Sequence, residues 1–365
     1  MIRRPHPLTP AVLIILICLP FAIPAAAEKL PSRLTDQEFW QLVSEYSEPD
    51  GTFHSENLVS NEIRFQTVIP EIIDKAVPGR AYVGVGSEQN FSYIVAARPA
   101  IVFIVDIRRG NLDLHLIYKA LFEMSANRAE FVSRVFSLPR PEGLTENSTA
   151  QDIFAAYARV APSQTLYDEN LRSIKDHLTK KHGFKLSATD LAAIDFVYSA
   201  WFRFGPNIRY ELTAARGLRG GGGGFPTYAN LMTTNDGTGT NRSYLATEDA
   251  FRFLKDLHTR NMIVPVVGNF GGPKALRSVA AYLKQKETTV SAFYTSNVEQ
   301  YLRQDGIWGR FCSSASTMPL DEKSVFIRSA RGGFANQPPV ALTPGAAFAV
   351  EVLPVKPELA ACGPR

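Results

Sequence analysis

The tightest constraint on this chain is a pair of short apolar runs separated by one glycine-bearing turn and one helix-length segment. Ala81 to Val85 leads into Gly84-Val85-Gly86, a helical pattern follows from about Ser87 to Ala97, and Ile101-Val102-Phe103-Ile104-Val105 then stops at Asp106. A strand without polar alternation is buried on both faces, as in a parallel sheet covered by helices on each side. Strand, turn, helix and strand in that order therefore predict an α/β sheet.

The rest of the chain extends the pattern. Ile117, Ala120, Leu121 and Met124 share one face of a second helix. Residues from about 127 to 205 carry helical patterns and end in the aromatic stripe Tyr198, Trp201, Phe202 and Phe204, which either packs against the sheet or lines a pocket. Strand signals recur at Tyr228 to Thr233, Met262 to Val267, Thr289 to Tyr294 and Ser324 to Arg328. Between them lie a helix at about Thr247 to His258 and another opened by Pro273, where Leu276, Val279, Ala280 and Leu283 align. The expected fold is a doubly wound, mostly parallel, Rossmann-like α/β sheet over 76–335, with a helical insertion at about 127–205. A mixed lead-in over 28–75 precedes it and a Pro-rich tail over 336–365 follows. The five glycines Gly220 to Gly224 are expected to form a loop, either a connector or a lid.

The first 27 residues read differently. Arg3 and Arg4, an apolar run from Ala11 to Ile23 and the small residues Ala25-Ala26-Ala27 form the pattern of a secretory leader cleaved after Ala27. The expected mature protein is exported, periplasmic or secreted, with no stable membrane anchor, because Pro20 and Pro24 interrupt a run shorter than a span of about 20 residues. Losing two arginines lowers the net charge from +4 to +2. With no basic run interleaved with aromatics, a nucleic-acid partner is not expected. Cleavage also leaves two of the 3 cysteines, Cys312 and Cys362, as either one disulfide or two free thiols.

In a doubly wound sheet, ligands lie beyond the carboxyl ends of the strands, so the turns carry the candidate site. Gly84 and Gly86 let backbone approach a ligand, and Glu88 and Gln89 stand at the helix start beside them. Asp106, 22 residues after Gly84, can accept the hydroxyls of a ribose. Arg108, Arg109 and Asn111 can form a polar wall of the same cleft. Asn235, Asp236, Asn269 and Asn297 fall at predicted strand ends, where they either converge on the cleft or serve turn chemistry. Asp236 and Tyr244 are the candidates for a base or positioning group.

This strand, turn and acidic second strand resemble the nucleoside-binding half of class I S-adenosylmethionine-dependent methyltransferases. The segments Val83 to Phe91 and Val105 to Asp113 also resemble a family of uncharacterised bacterial proteins. The resemblance implies a methyltransferase-like Rossmann fold over roughly 60–330 and S-adenosylmethionine as a cofactor. Two positions depart from that pattern: Tyr82 stands where the methyltransferases carry an acid, and Glu88 or Gln89 where they carry a third glycine. Export also conflicts with a cofactor made in the cytoplasm. The expected ligand is thus a small polar or nucleoside-like molecule, bound either by an enzyme or by a noncatalytic receptor or scaffold.

Other chemistries lack their motifs. His177 and His182 lie five apart without an acidic or cysteine partner at zinc spacing, so no metal site is expected. There is no G-x-S-x-G elbow, and Lys274 after Gly271-Gly272-Pro273 lacks the hydroxyl neighbour of a phosphate loop.

Overall fold

In the computed structural model, Met1 and residues 29–210, 225–330 and 349–362 are described. Residues 2–28, which hold all of the expected leader but Met1, the glycine run Gly220 to Gly224 and the tail prolines Pro338, Pro339 and Pro344 lie outside the described residues. No helix among the described residues is long and apolar enough to cross a membrane.

The lead-in holds α1 (Asp36–Tyr46) and α2 (Ile69–Lys75). Thr35 and Glu38 cap α1 reciprocally, each side chain taking the other's backbone N–H. The two apolar runs become β1 (Ala81–Gly84) and β2 (Ile101–Asp106), joined by α3 (Gln89–Ala97). Then come α4 (Arg109–Met124), α5 (Arg128–Phe136), α6 (Ala150–Tyr157), α7 (Gln164–Asp176) and α8 (Ala188–Phe204), with a π-helical turn at His177–Lys181 after α7. The second half runs α9 (Tyr228–Thr233), α10 (Glu248–Thr259), β3 (Ile263–Val267), α11 (Ala275–Gln285), β4 (Val290–Ser296), α12 (Val298–Gln304), α13 (Trp308–Ala315) and β5 (Val325–Ala330). Residues expected as tail supply β6 (Ala349–Pro354) and α14 (Val355–Ala360).

The six strands form one sheet in the order β3-β2-β1-β4-β5-β6. Neighbours from β3 through β5 are parallel, with Ala81 against Ile101 and Asp106 against Val267, and β6 closes the edge antiparallel to β5. This is a Rossmann-like α/β fold, and the chain reverses its direction of strand addition between β1 and β4. Every residue of β1, β2 and β3 is buried, as their unbroken apolar sequences require. Helices α3, α4 and α10 pack together on the sheet, while α1, α11 and α13 form a second packed series.

One strand expectation is corrected. Tyr228 to Thr233 is helical, because Thr227 caps it and exchanges hydrogen bonds with Asn230, which stabilises the first turn more than the residues' strand preference opposes it. Cys312 of α13 and Cys362 are joined by a disulfide, with Cα atoms 5.8 Å apart. Trp201 of the aromatic stripe packs against Tyr118 of α4, ring centroids 4.9 Å apart, rather than on the sheet. Twelve consecutive residues of α4, Asn111 to Phe122, are buried, although Asn111, Asp113, His115 and Lys119 are among them. A helix surrounded on all sides ordinarily avoids such residues.

Candidate functional site at the carboxyl edge of the sheet

The turn after β1 is wired from within. Gly84 has no room for a side chain, since a Cβ there would meet the Asn90 amide oxygen and the Tyr82 ring. Asn90 donates through Nδ2 to the carbonyls of Val85 and Ser87, both at 2.8 Å, and accepts from the Tyr82 hydroxyl at 3.0 Å. Gly86 takes the left-handed conformation, φ +79°, that glycine adopts without strain. Glu88 and Gln89 face inward. Glu88 Oε1 accepts from Ser60 N at 3.1 Å, and burial pushes its carboxyl up to about 7. Gln89 Nε2 donates to Glu62 at 2.6 Å and to the Tyr93 hydroxyl at 2.8 Å.

Ser60 and Glu62 belong to a strap, residues 47–62, that runs across the carboxyl ends of the strands. Glu48 N donates to Val267 O at 2.8 Å, and its carboxylate accepts from the backbone of Asn269, Lys274 and Ala275, capping the start of α11. Gly51 N reaches Ile107 O at 2.9 Å, and Asp50 Oδ1 accepts from Arg109 N at 2.6 Å, capping α4. Glu56 O accepts from Arg108 Nη1 at 2.5 Å. Further on, Glu62 Oε1 accepts from Ser296 Oγ at 2.7 Å, linking the strap to β4 across the switch point. Helix starts at strand ends are where this architecture holds anionic ligand groups. Here α4 and α11 receive carboxylates from their own chain.

Below the strap, α4 presents a polar face. Its N-cap Arg108 and then Asn111, His115 and Tyr118 are spaced three, four and three apart, so they lie along one stripe. Each is buried, and each has a polar atom with no hydrogen-bond partner among the described residues: Arg108 Nη2, Asn111 Nδ2, His115 Nδ1 and the Tyr118 hydroxyl. Glu88 Oε2 shares that condition. His115 Nε2 bonds to Gly86 O at 2.8 Å, and since a carbonyl only accepts, that nitrogen carries the proton and Nδ1 is left as an acceptor. Burial pushes the His115 imidazole down to about 4. Asp106, at the end of β2, accepts from Arg108 N at 3.0 Å, and Arg108 Nε lies 3.6 Å from the same oxygen. The stripe thus offers an amide donor, an imidazole acceptor, a phenol and a carboxyl protonated below about pH 7, with one guanidinium already facing a carboxylate. Such a set can orient an uncharged or weakly charged polar molecule.

The remaining predicted residues divide plainly. Gly84, Gly86, Glu88, Gln89, Asp106, Arg108 and Asn111 are brought together at the ends of β1 and β2. Arg109 turns away to Asp190, with bonds at 2.8 and 3.2 Å. Asn235 and Asp236 follow a helix instead of a strand and are used within their own loop. Asn235 accepts from Gly237 N at 2.8 Å, and Asp236 binds Thr238, Thr240 and Arg242. Asn269 stands at the end of β3 and closes a turn onto Gly271 N. Asn297 follows β4 as the residue before α12. Tyr244 is buried and bonded to Tyr228, and burial raises its phenol well above the ordinary value, which removes it as a base. Ser60, Glu62, His115 and Tyr118 did not stand out in the sequence. The three-four-three polar spacing from Arg108 was the signal for the last two.

A family model described as a domain of unknown function, DUF7790, matches residues 57–352. The chain belongs to the DUF7790 family. No curated protein matches it. The DUF7790 span takes in the Gly86 turn, Asp106 and the α4 stripe, and it reaches β6, but it leaves out α1 and the capping residues Glu48 and Asp50. Membership agrees with the resemblance of the Gly84 and Asp106 segments to uncharacterised proteins and carries no link to methyltransferases.

Proposed function

We propose that this protein binds a small, uncharged or weakly charged polar molecule between the Gly86 turn and the polar stripe of α4, and that it does so outside the cytoplasm. The observation that carries the reading is the row of buried groups Arg108, Asn111, His115 and Tyr118, each with a polar atom unpartnered among the described residues, facing a helix start whose Glu88 is also half-satisfied. A buried donor or acceptor left without a partner costs about 1–3 kcal/mol, so several along one stripe favour a site that a ligand completes. The leader-like segment at 1–27 supports export.

A nucleoside-like ligand is favoured by Asp106, which ends β2 beside the turn. S-adenosylmethionine and a group-transfer reaction form the second reading, which rests on that carboxylate. Arg108 faces Asp106 at present, so a ribose would have to compete with it.

The test is calorimetric titration of the purified chain with adenosine, S-adenosylmethionine and a panel of neutral polar metabolites, repeated on Asn111→Ala and His115→Gln. A ligand of the stripe should bind at least tenfold more weakly to both variants while their circular dichroism is unchanged. Retention of S-adenosylmethionine that disappears in Asp106→Ala supports the second reading. A ligand held equally well by wild type, Asn111→Ala and His115→Gln overturns the site.

A further inference from the structure

We infer that Glu123, His177 and His182 form a binding site for a divalent transition metal of the zinc class, at the end of α4 remote from the Gly86 turn. Two ring nitrogens meet one carboxylate oxygen: His177 Nε2 lies 2.7 Å and His182 Nε2 2.8 Å from Glu123 Oε2. The three atoms all fall within 4.8 Å of one another. Nothing in the local spacing of the two histidines announces this, because their acidic partner comes from α4, 54 positions before His177.

The backbone explains how residues five apart come to face the same point. In an α-helix, positions i and i+5 diverge around the axis, since a turn takes 3.6 residues. Here the chain winds more loosely over His177–Lys181, and His182 N bonds to His177 O at 3.1 Å, an i to i+5 link. The two imidazoles thereby stand 5.1 Å apart, ring centre to ring centre. Single π-turns inside helices concentrate at functional sites.

The surroundings orient the donors as an outer shell orients metal ligands. His182 Nδ1 lies 2.7 Å from Asp36 Oδ1, and that carboxylate accepts its N–H; Nε2, which donates to Glu123 Oε2 while no ion is bound, gives up its proton when it ligates one, with the ring already aimed at the site. Phe184 stacks on the His182 ring at 5.0 Å. Glu123 Oε1 accepts from Lys119 Nζ at 2.6 Å, so Oε2 is the oxygen available to an ion. Lys181 Nζ stands 3.4 Å from both Glu123 Oε2 and His177 Nε2; its side chain is 60% exposed and can swing into solvent when an ion takes its place. Zinc bonds of about 2.0–2.2 Å would hold the donors about 3.4 Å apart, so binding lengthens each Glu123–His separation by roughly 0.6 Å. A surface hollow of about 570 Å³, lined by Glu169, Asp176, His177 and Lys181 among others, borders the His177 side of the site. Two imidazoles and one carboxylate suit zinc and its first-row neighbours, whereas calcium and magnesium prefer oxygen donors throughout.

The full chain, stripped with chelator and dialysed, should take up one zinc ion per molecule at micromolar concentration or below in a calorimetric titration. Asp36→Ala, which removes an orienting carboxylate, should weaken uptake about 10- to 100-fold. His177→Gln and His182→Gln should weaken it further, while the exposed His54→Gln leaves it unchanged. Should the ligand variants fail to fold, the X-ray absorption spectrum of the wild-type zinc complex decides. Two imidazole shells without sulfur support the site. Uptake that is absent, unaffected by the two histidine variants, or ligated through sulfur overturns it.

Discussion

The two ends of α4 solve the same problem in opposite ways. Both bury polar side chains within one helix, whose ends lie roughly 20 Å apart along its axis. Toward the carboxyl edge of the sheet, Arg108, Asn111, His115 and Tyr118 each keep an atom without a partner among the described residues. At the far end Lys119 bonds to Glu123, to His258 O at 2.6 Å and to Asn261, while Glu123 gathers two histidines and two lysines. The stripe is short of partners and the Lys119–Glu123 pair is crowded with them, although the His258 ring beside that pair has no partner among the described residues. Burial alone therefore does not mark a site; the balance of donors and acceptors does.

The largest break in this comparison should come from the crowded end. Lys119→Met leaves Glu123 buried beside a hydrocarbon, and removing one member of a buried ion pair costs about 3–5 kcal/mol. Urea unfolding at pH 7 measures it, and a loss below about 1 kcal/mol would show that Lys119 is not needed to hold that carboxylate.

A medium effect separates two groups at the opposite end by their dependence on pH. Burial raises Glu88 from an ordinary value of 4.5 to about 7, so its contribution to stability is complete below pH 4.5 and is lost as pH climbs to about 7. Burial lowers His115 from 6.5 to about 4, so its contribution is complete above pH 6.5 and is lost as pH falls to about 4. Relative to wild type, Glu88→Gln should gain on the order of 2 kcal/mol between pH 4.5 and 7. His115→Asn should gain a similar amount as pH is lowered from 6.5 to 4. Unfolding curves at pH 4, 5.5 and 7 check both; a constant offset from wild type for either variant contradicts the burial of that group.

The smallest effect is the most direct contrast with Lys119. Tyr118→Phe deletes a buried hydroxyl that has no partner among the described residues, so it should leave stability within about 1 kcal/mol of wild type or improve it. A loss of several kcal/mol in thermal unfolding would mean that the hydroxyl is satisfied and that the polar stripe is structural.

The amino-acid pattern discloses the sheet more readily than the site. β1, β2 and β3 are unbroken apolar runs, and burial on two faces leaves such strands no other composition. β6 is an edge strand with most residues only half-buried, so its sequence carries little periodic signal. Gly84, Gly86 and Asp106 were visible because turns and strand ends impose residue types locally. The strap was not, since Glu48 reaches the turn after β3 and the start of α11, and Glu62 reaches Ser296 of β4, each more than 200 residues away. Nor was the meeting of Glu123 with His177 and His182, which depends on a local widening of the helix that no spacing rule anticipates.

The strap has a consequence for how the protein is made. Glu48 leaves the ribosome 227 residues ahead of Ala275, whose amide it will cap, and Glu62 leaves 234 ahead of Ser296. The middle of the strap can settle on residues made soon after it, but these two outer contacts wait on partners made late, and the rim of the sheet stays unfinished until the fourth strand is present.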